Sequence, residues 1–450
     1  MLGLSDIYPR LRCFLKEFRQ LPKNKNTLYF CSADIHKCYD NINQGYLYDV
    51  INSIISSEDF LSQKYALIYN NSQCVNNIQN KYIRKVGPPE DFRLLETIDE
   101  IFAKQYKRSI IIEQVNSLAV LKKCKVLELL KEHIFNHVVV TSGCFGNPRF
   151  LIQSSGIPQG SILSSFLCNY YYGHLEQKLL KDMSTLSKVS SDNHTNKSQV
   201  SILLRMMDDF LFITTDRDAS IQFLTNVHGG IPHLGVRVNE AKTRSSYEAQ
   251  FKSADKNDSQ PKYKIKSQCI EKKKGIFFPW CGMLFDVHTC EVGIDYSRFE
   301  TSTNSAKNNP TEKNGKNNPA PLPAAFKSGK DLLYRMKSFV RPRCQPILFD
   351  SYVNRKDVVE RNFFEMLEFC AKKTMRYITY SLESGVSKNV NYIRHCVQEV
   401  IIYSYKLILY LLKKSLFGKS NKKVHLNFSK QHALRIGNKA FYSVFRLIQS

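Results

Sequence analysis

Two adjacent aspartates, Asp208 and Asp209, interrupt an apolar run at residues 202–214, ILLRMMDDFLFIT. Each apolar flank is long enough for a strand, and acidic residues suit the turn between two strands. We therefore predict a β-hairpin with neighbouring carboxylates at its tip. For an isolated Asp-Asp pair a solvated turn is the ordinary interpretation, because clustered carboxylates withdrawn from water need a cation or another positive partner. The rest of the sequence must distinguish these alternatives.

The charge of the chain favours a polyanionic partner. Its 450 residues include 65 Lys plus Arg and 40 Asp plus Glu, which gives a formal net charge of +25. A chain this basic suits nucleic acid first and an anionic membrane second; the alternative is a basic protein whose charge only aids solubility. The most apolar stretch, residues 400–412, contains Ser404 and Lys406 and is too short to span a bilayer, so we predict no membrane partner.

The cysteines and the apolar content bound the type of protein. There are 13 cysteines, from Cys13 to Cys396, and none forms a CxxC motif. An odd, scattered set argues against a disulfide framework and a zinc ribbon, and favours a reducing compartment. Hydrophobic residues make up 43% of the chain, enough for two or three domains with cores of their own.

A third acid, Asp34, lies near the end of the predicted strand 28–35, LYFCSADI, where a helical pattern begins. A carboxylate where a strand gives way to a helix is a common metal ligand in layered α/β structures, and a helix N-cap is the alternative. Between this acid and the acidic pair, the Gly/Pro turn 156–160, GIPQG, precedes a predicted helix. Its glycines allow close approach of a ligand and the helix N-terminus favours phosphate, although most such segments are ordinary turns.

Together the three acids suggest two-metal phosphoryl transfer, which needs acidic ligands that hold two divalent cations ~3.5–4 Å apart. Asp34, Asp208 and Asp209 would be those ligands, followed in the sequence by Lys242 within GVRVNEAKT. Two Mg²⁺ ions are the expected cofactors, with Mn²⁺ as a substitute, because carboxylates and phosphates select hard cations. One ion would activate an attacking 3′-hydroxyl, and both would stabilise charge on the phosphate.

Helical patterns dominate the C-terminal third. From residue 322 onward, apolar residues recur at helical spacing and predict a helical core. They include Phe363, Met366, Leu367, Cys370, Val397, Ile401, Ile408 and Leu412. Residues 43–150 are mixed, with helices predicted at 46–55, 94–105 and 122–137 and a β-rich run at 110–112. We interpret them as an insertion in a smaller catalytic domain.

These segments resemble the palm motifs of the telomerase reverse transcriptase family. DIHKCYDNI, residues 34–42, resembles the first acidic motif, and the acidic pair resembles the second, with Arg205 and the DDF sequence typical of telomerases. The resemblance implies that Asp34, Asp208 and Asp209 bind metal and that Tyr39 screens the sugar 2′ position. Cys38 stands where the family usually has Gly or Ala; it is small enough that we expect no loss.

Three further motifs carry the resemblance. QSSGIPQGSILSSFLCNYYYGHLE, from residue 153, resembles the nucleotide-facing turn and helix, and implies that Gln159 and Gly160 lie beside the incoming base pair. In GVRVNEAKT, Lys242 would protonate the pyrophosphate leaving group. FFPWCGMLFD, from residue 277, resembles the primer grip, which implies that the primer 3′ end is held by Trp280, Cys281 and Gly282.

The resemblance implies an α+β fold of the right-hand polymerase type. IIIEQVNSL, from residue 110, resembles part of the fingers insertion, and residues 321–350 resemble the start of the thumb. We expect a palm with an antiparallel sheet at 1–297, an inserted helical fingers region at 43–150, a linker at 298–321 by composition, and an all-helical thumb at 322–450.

The resemblance also implies a function, which is RNA-templated addition of deoxynucleotides at chromosome ends in the nucleus. The expected partners are a telomerase RNA template, a telomeric single-stranded DNA primer and deoxynucleoside triphosphates. It begins after the family's two fingers motifs and lacks its N-terminal anchor and RNA-binding domains, so we expect a fragment of a longer enzyme. Two alternatives remain, which are a mobile-element reverse transcriptase and a truncated, non-catalytic isoform that binds nucleic acid or protein partners.

Overall fold

The structure is a computed structural model. It describes residues 4–22, 27–70, 78–92, 109–142, 148–179, 199–251, 263–272, 275–298, 330–383, 389–416 and 426–446. Residues 299–321 of the predicted linker and the predicted helix at 94–105 lie outside these ranges. The chain divides into two compact units: unit 1 comprises residues 1–35, 177–230 and 237–450, and unit 2 comprises residues 36–176 and 231–236.

The described helices and strands alternate along the chain. The helices are α1 (Leu4–Phe18), α2 (Gln44–Ile54), α3 (Lys123–Phe135), α4 (Ser164–Leu179), α5 (Arg217–Gly229), α6 (Lys330–Val340), α7 (Pro346–Phe349), α8 (Lys356–Glu383), α9 (Val390–Leu416) and α10 (Lys430–Phe445). The strands are β1 (Tyr29–Asp34), β2 (Asp59–Asn70), β3 (Ile78–Gly87), β4 (Ser109–Lys122), β5 (Val138–Ser142), β6 (Pro148–Ile152), β7 (Ser201–Met206), β8 (Asp209–Thr214), β9 (Arg244–Ser245), β10 (Ala249–Phe251), β11 (Tyr263–Ile265), β12 (Ile270–Lys272), β13 (Gly275–Trp280), β14 (Met283–Asp286) and β15 (Val292–Ile294).

The central sheet of unit 1 is antiparallel, in the order β7-β8-β1-β9. Both of its faces are covered. On one face, the ring of Phe212 in β8 stacks on Phe223 of α5 with centroids 5.1 Å apart. On the other face, the ring of Phe30 in β1 packs against the ring of Phe278 in β13, with centroids 5.5 Å apart. Burial on both faces explains why the strand at β8 is a continuous apolar run rather than an alternating one.

A second sheet, in the order β12-β13-β14-β15, connects the central sheet to the C-terminal helices within unit 1. Side-chain hydrogen bonds and an ion pair contribute to this connection. The amide of Asn362 in α8 donates to the carbonyl oxygens of Val292 (2.8 Å) and Leu348 (2.9 Å). The guanidinium of Arg355 pairs with Glu291, which is only 3% exposed, at 2.9 Å. These hydrogen bonds are directional, which makes the joint specific as well as tight.

Helix α1 is also hydrogen-bonded to the C-terminal helical region of unit 1. The hydroxyl of Tyr8 and the guanidinium of Arg12 each donate to Asp350 Oδ2 at 2.8 Å. Burial raises the pKa of the Tyr8 hydroxyl, and the negative charge of Asp350 raises it further. Residues 330–446 are helical wherever they form a described regular element, as predicted, and all eight apolar residues listed above for this region are buried.

Unit 2 contains more β-structure than the sequence suggested. Strands β3, β2 and β4 form an antiparallel sheet, and β5 pairs with β6. Helix α2 begins at residue 44, where the Asn43 side chain accepts a hydrogen bond from the Tyr46 amide, and not near Asp34 as the pattern suggested. The mixed helix and antiparallel sheet of the two units confirm the α+β fold class. In the described part of the chain, every helix is too short or too polar to cross a membrane.

Candidate active site

Three carboxylates meet at one edge of the central sheet. Asp34 ends β1, and its partner in the antiparallel ladder is Asp209, the first residue of β8. Asp208 is the residue before it, at the tip of the β7–β8 hairpin. One ligand oxygen from each of these three residues, the acidic cluster, lies within 4.8 Å of the others. The predicted hairpin thus forms, and strand register brings the distant Asp34 to its tip.

The tip of this hairpin is a two-residue turn held from both sides. Met206 pairs with Asp209, and Met207 between them has a φ of 56°, a left-handed conformation that costs a residue with a Cβ about 1–2 kcal/mol. The guanidinium of Arg205, a residue only 4% exposed, donates to the Met207 carbonyl oxygen at 2.9 Å. The Ile35 amide donates to the Asp208 carbonyl oxygen at 3.2 Å. These two bonds fix the direction of the acidic pair.

The electrostatics of the cluster favour a bound cation. Burial raises the pKa of the Asp209 carboxyl; the thiol of Cys281 acts in the opposite direction, and the charges of Asp208 and Asp34 raise the pKa further. Three clustered carboxylates supply the hard oxygen donors that Mg²⁺, Mn²⁺ and Ca²⁺ prefer. The three aspartates therefore fit a divalent metal site, since a cation would neutralise the charge that their proximity concentrates.

Lys242 joins the cluster through its partner Asp34. It ends the 3₁₀ turn Glu240–Lys242, whose start is held by a 2.8 Å hydrogen bond from the Asn239 amide to the Asp34 carbonyl oxygen. The Lys242 Nζ lies 2.9 Å from Asp34 Oδ2; the lysine side chain is 62% exposed and the aspartate side chain only 9%. The hydrogen bond with Asp34 raises the pKa of Lys242, so the ammonium keeps its proton beside the acidic cluster.

Of the three residues predicted for the primer grip, Cys281 contacts the cluster. Its Sγ lies 3.3 Å from Asp209 Oδ2 and donates to it. Cys281 and Gly282 form the turn between β13 and β14, both with positive φ (47° and 76°), which is the backbone of a tight hairpin. Trp280 is 4% exposed and packs in the core against Phe285, with ring centroids 6.2 Å apart.

The predicted nucleotide-binding residues belong to unit 2. The Tyr39 carbonyl oxygen accepts a 2.9 Å hydrogen bond from the Ile157 amide, and a Cβ on Gly156 (φ 74°) would lie 2.5 Å from that same oxygen. Only glycine allows this approach of the two backbones. Gln159 and Gly160 are exposed at the end of the turn. The structure thus joins the Tyr39 loop to the Gly/Pro turn inside this unit.

Sequence reasoning missed two contacts at these sites. One is the bond from Cys281 to Asp209, which depends on two separate turns and leaves no signal in the sequence. The other is Gln44, 9% exposed, whose amide donates to the carbonyl oxygens of Gln153 (3.1 Å) and Gly156 (2.9 Å). A glutamine directly after the Asn43 helix cap is a weak signal, because that position is usually solvated.

Comparison with known proteins shows which proteins the chain is similar to. A family model described as reverse transcriptase (RNA-dependent DNA polymerase) matches residues 112–274. The telomerase reverse transcriptase of Mus musculus is 29% identical over 373 residues, 81% of this chain and 29% of that protein. That of Arabidopsis thaliana is 26% identical over 450 residues, 98% of this chain and 37% of that protein.

A solved structure supports the fold. The telomerase from Candida albicans, in complex with a TWJ fragment of telomeric RNA, aligns with a TM-score of 0.55 at 16% identity. The alignment covers 99% of this chain and 53% of the solved chain.

The antiparallel sheet carries three carboxylates at the tip of its central hairpin, and residues 112–274 match the reverse transcriptase model, so the chain resembles the reverse transcriptase class. Matches to telomerase reverse transcriptases extend over most of the chain. Within these matches, the chain is similar to telomerase reverse transcriptases at 26–29% identity. It spans 29% and 37% of the length of the two relatives described above.

Proposed function

We propose that this chain carries the polymerase centre of a telomerase, an RNA-directed DNA polymerase that adds deoxynucleotides to a DNA primer at chromosome ends. The observation that carries the proposal is the acidic cluster, whose ligand oxygens lie within 4.8 Å of one another in a chain similar to telomerase reverse transcriptases. The curated relatives described above are telomerases, which favours this function over that of a mobile-element enzyme.

Asp34, Asp208 and Asp209 are the proposed metal ligands. A pair of Mg²⁺ ions, when bound, would supply activation of the primer 3′-hydroxyl and neutralise charge on the transferred phosphate. Mn²⁺ would substitute, because carboxylate oxygens bind both ions. The raised pKa of the Asp209 carboxyl supports the assignment, since it reflects burial and negative charge that a cation would compensate.

Lys242 is the proposed general acid. Its Nζ holds a proton 2.9 Å from a metal ligand, on a side chain that is mostly exposed and can turn toward a phosphate. Donation of that proton to the leaving pyrophosphate would stabilise the charge that develops as the bond breaks. The pair with Asp34 would hold the lysine in place before a nucleotide arrives.

The remaining roles concern substrates and partners. We propose that Tyr39 excludes a 2′-hydroxyl and that Gln159 and Gly160 contact the nascent base pair. Trp280, Cys281 and Gly282 would hold the primer 3′ end, and the basic helices from residue 330 onward would follow the duplex backbone. The net charge of +25 and the telomeric RNA bound by the Candida albicans protein support a telomerase RNA template and a single-stranded telomeric primer. We place the enzyme in the nucleus, at telomeres.

The test replaces one ligand. In the longest native form of the protein, assembled with its RNA, Asp208→Asn should reduce primer extension by about 10³-fold or more, because a neutral amide cannot replace a metal-binding carboxylate. Asp218→Asn removes an exposed acid elsewhere in unit 1 and is the matched control. Binding of an RNA–DNA hybrid should be nearly unchanged in both variants. Primer extension by Asp208→Asn at the control's rate would refute the metal assignment.

A second measurement needs only the purified 450-residue chain. Titration with Mn²⁺, followed by electron paramagnetic resonance, should show binding that Asp208→Asn weakens and Asp218→Asn does not. If the chain binds an RNA–DNA hybrid and Mn²⁺ but the longest native form never extends a primer, a non-catalytic binding role replaces the proposed one.

A further inference from the structure

The thiol of Cys281 is the one described side chain outside the acidic cluster that donates a hydrogen bond to the Asp209 carboxylate. Its Sγ lies 3.3 Å from Asp209 Oδ2, within the range of an S–H···O contact. The position is remote in sequence, on a different hairpin of a different sheet. A contact of this kind is either incidental to packing or a means of directing the carboxylate.

The backbone around Cys281 indicates that the thiol directs the Asp209 carboxylate and that the contact is not incidental to packing. The residue has a φ of 47°, a conformation that costs a side chain with a Cβ about 1–2 kcal/mol. Its neighbours Trp280 and Met283 pair across the turn and are 4% and 3% exposed, so both ends of the turn are anchored in the core. The Asp295 amide donates to the Gly282 carbonyl oxygen at 2.9 Å and supplies a third anchor.

We propose that Cys281 is a positioning residue for Asp209: its thiol hydrogen bond holds one carboxylate oxygen in a fixed orientation toward the metal site. The inference rests on the proposed function and adds to the primer-gripping role that the family resemblance implies. A carboxylate crowded by Asp34 and Asp208 turns away from them unless a donor holds it, because like charges repel. Groups that orient ligands in this way typically contribute 10–100-fold to metal affinity.

Thiol and hydroxyl donors make the test specific. Cys281→Ala removes the donor and should weaken Mn²⁺ binding by about 10-fold in the purified chain. Cys281→Ser replaces the thiol with a stronger donor of similar size and should keep most of the wild-type affinity. Cys269→Ala is the matched control, since this half-buried cysteine of unit 1 donates to the Ser246 carbonyl oxygen and not to the cluster.

The outcomes separate this inference from the proposed function. Loss of Mn²⁺ binding in Asp208→Asn together with unchanged binding in Cys281→Ala overturns the role of Cys281 and leaves the metal site intact. Unchanged binding in both variants overturns the metal site itself. Equal weakening in Cys281→Ala and Cys281→Ser also overturns the inference, because the donor would then be irrelevant.

Cadmium distinguishes positioning from ligation. A thiolate ligand selects soft cations, whereas a thiol that only orients a carboxylate does not. We expect Cys281→Ser to change Cd²⁺ affinity no more than Mn²⁺ affinity; a selective loss of Cd²⁺ binding would identify Cys281 as a ligand and overturn the positioning role. In the longest native enzyme, Cys281→Ala should lower kcat while KM for the primer stays unchanged. An increase in KM alone would assign the residue to primer binding.

Discussion

Two hairpins of similar composition have opposite surroundings. The β7–β8 hairpin carries the acidic pair, and its residues Leu204, Leu211 and Ile213 are fully buried. The β5–β6 hairpin of unit 2, called here the outer hairpin, has the sequences VVVTS and PRFLI, yet Val140 is 60% exposed and Phe150 is 69% exposed. Both contain apolar strand formers, so propensity does not distinguish them.

Neighbouring elements account for the difference. In unit 1, β8 lies between β7 and β1, and helix α5 covers one face. Among the described residues of unit 2, β5 pairs only with β6, and a two-stranded ladder on its own is marginally stable. The acids thus occur on the better supported of these two hairpins. The other hairpin presents an apolar surface of the kind that often binds a partner.

The largest expected effect is in the core of the acidic hairpin. Leu211→Ala should destabilise unit 1 by about 2–5 kcal/mol, because it leaves a cavity beneath the central sheet. The only tryptophan of the chain, Trp280, is buried in this unit, so urea unfolding followed by its fluorescence reports on unit 1 separately. Leu151→Ala in the outer hairpin should leave this transition in place; a comparable shift would contradict the contrast between the hairpins.

A smaller loss is expected at the hairpin turn. Arg205→Met removes the donor to the Met207 carbonyl oxygen and should cost about 1–3 kcal/mol, since a hydrogen bond from a charged donor to a half-buried acceptor is lost. Arg237→Met, at an exposed position of the same unit, is the control. Urea unfolding followed by Trp280 fluorescence would measure the loss of stability. In Arg205→Met, Mn²⁺ affinity should fall together with the free energy of unfolding. Equal stability of the two variants would mean that the turn holds its shape without the arginine.

In unit 2, two glycines with positive φ separate steric clash from backbone strain. Gly156 (φ 74°) and Gly160 (φ 93°) would both strain an alanine, but a Cβ at Gly156 meets the Tyr39 carbonyl oxygen at 2.5 Å while one at Gly160 meets nothing within 4 Å. We expect Gly156→Ala to cost roughly 1–3 kcal/mol more than Gly160→Ala. Hydrogen exchange of the backbone amides at positions 156 and 157 would measure this difference in local stability. Equal exchange in the two variants would rule out the clash.

The smallest effect is expected on the outer hairpin itself. Phe150→Ser should change the free energy of unfolding by less than about 0.5 kcal/mol, because the largely exposed phenylalanine ring makes few apolar contacts that could be lost. Binding of the dye ANS should decrease, since an exposed aromatic ring is lost, and Thr141→Ala at an exposed position of the partner strand is the control. A loss above about 1 kcal/mol would show that this face is covered in solution and would break the contrast.

Sequence reasoning succeeded where the pattern is local. The apolar flanks of Asp208 and Asp209 predict the hairpin, and the end of the strand at Asp34 follows from its apolar run. It missed β2 as a strand because this strand buries polar residues, such as Gln63 at 1% exposure, and so lacks a clear apolar alternation. Similarly, the start of α2 depends on the Asn43 cap and not on the helical spacing that begins near Asp34.

Contacts between distant segments could not be predicted. The pairing of Asp34 with Asp209 depends on strand register, which the apolar runs of β1 and β8 leave open because both faces are buried. The bond from Cys281 to Asp209 depends in addition on two turns with positive φ. The roles of Tyr39, Gln159 and Lys242 come from family resemblance, and remain predictions.

The buried amide of Asn362 has a mechanical consequence. It donates a hydrogen bond from helix α8 to the carbonyl oxygen of Val292 in β15. Asp295 follows that strand, and its amide donates to the Gly282 carbonyl oxygen. A ligand that displaces α8 must therefore break a buried hydrogen bond or drag the Cys281–Gly282 turn along with the helix. Strain applied to the helical region would reach the Asp209 carboxylate through these few links, so the spacing of the acids would respond to a load on the helices.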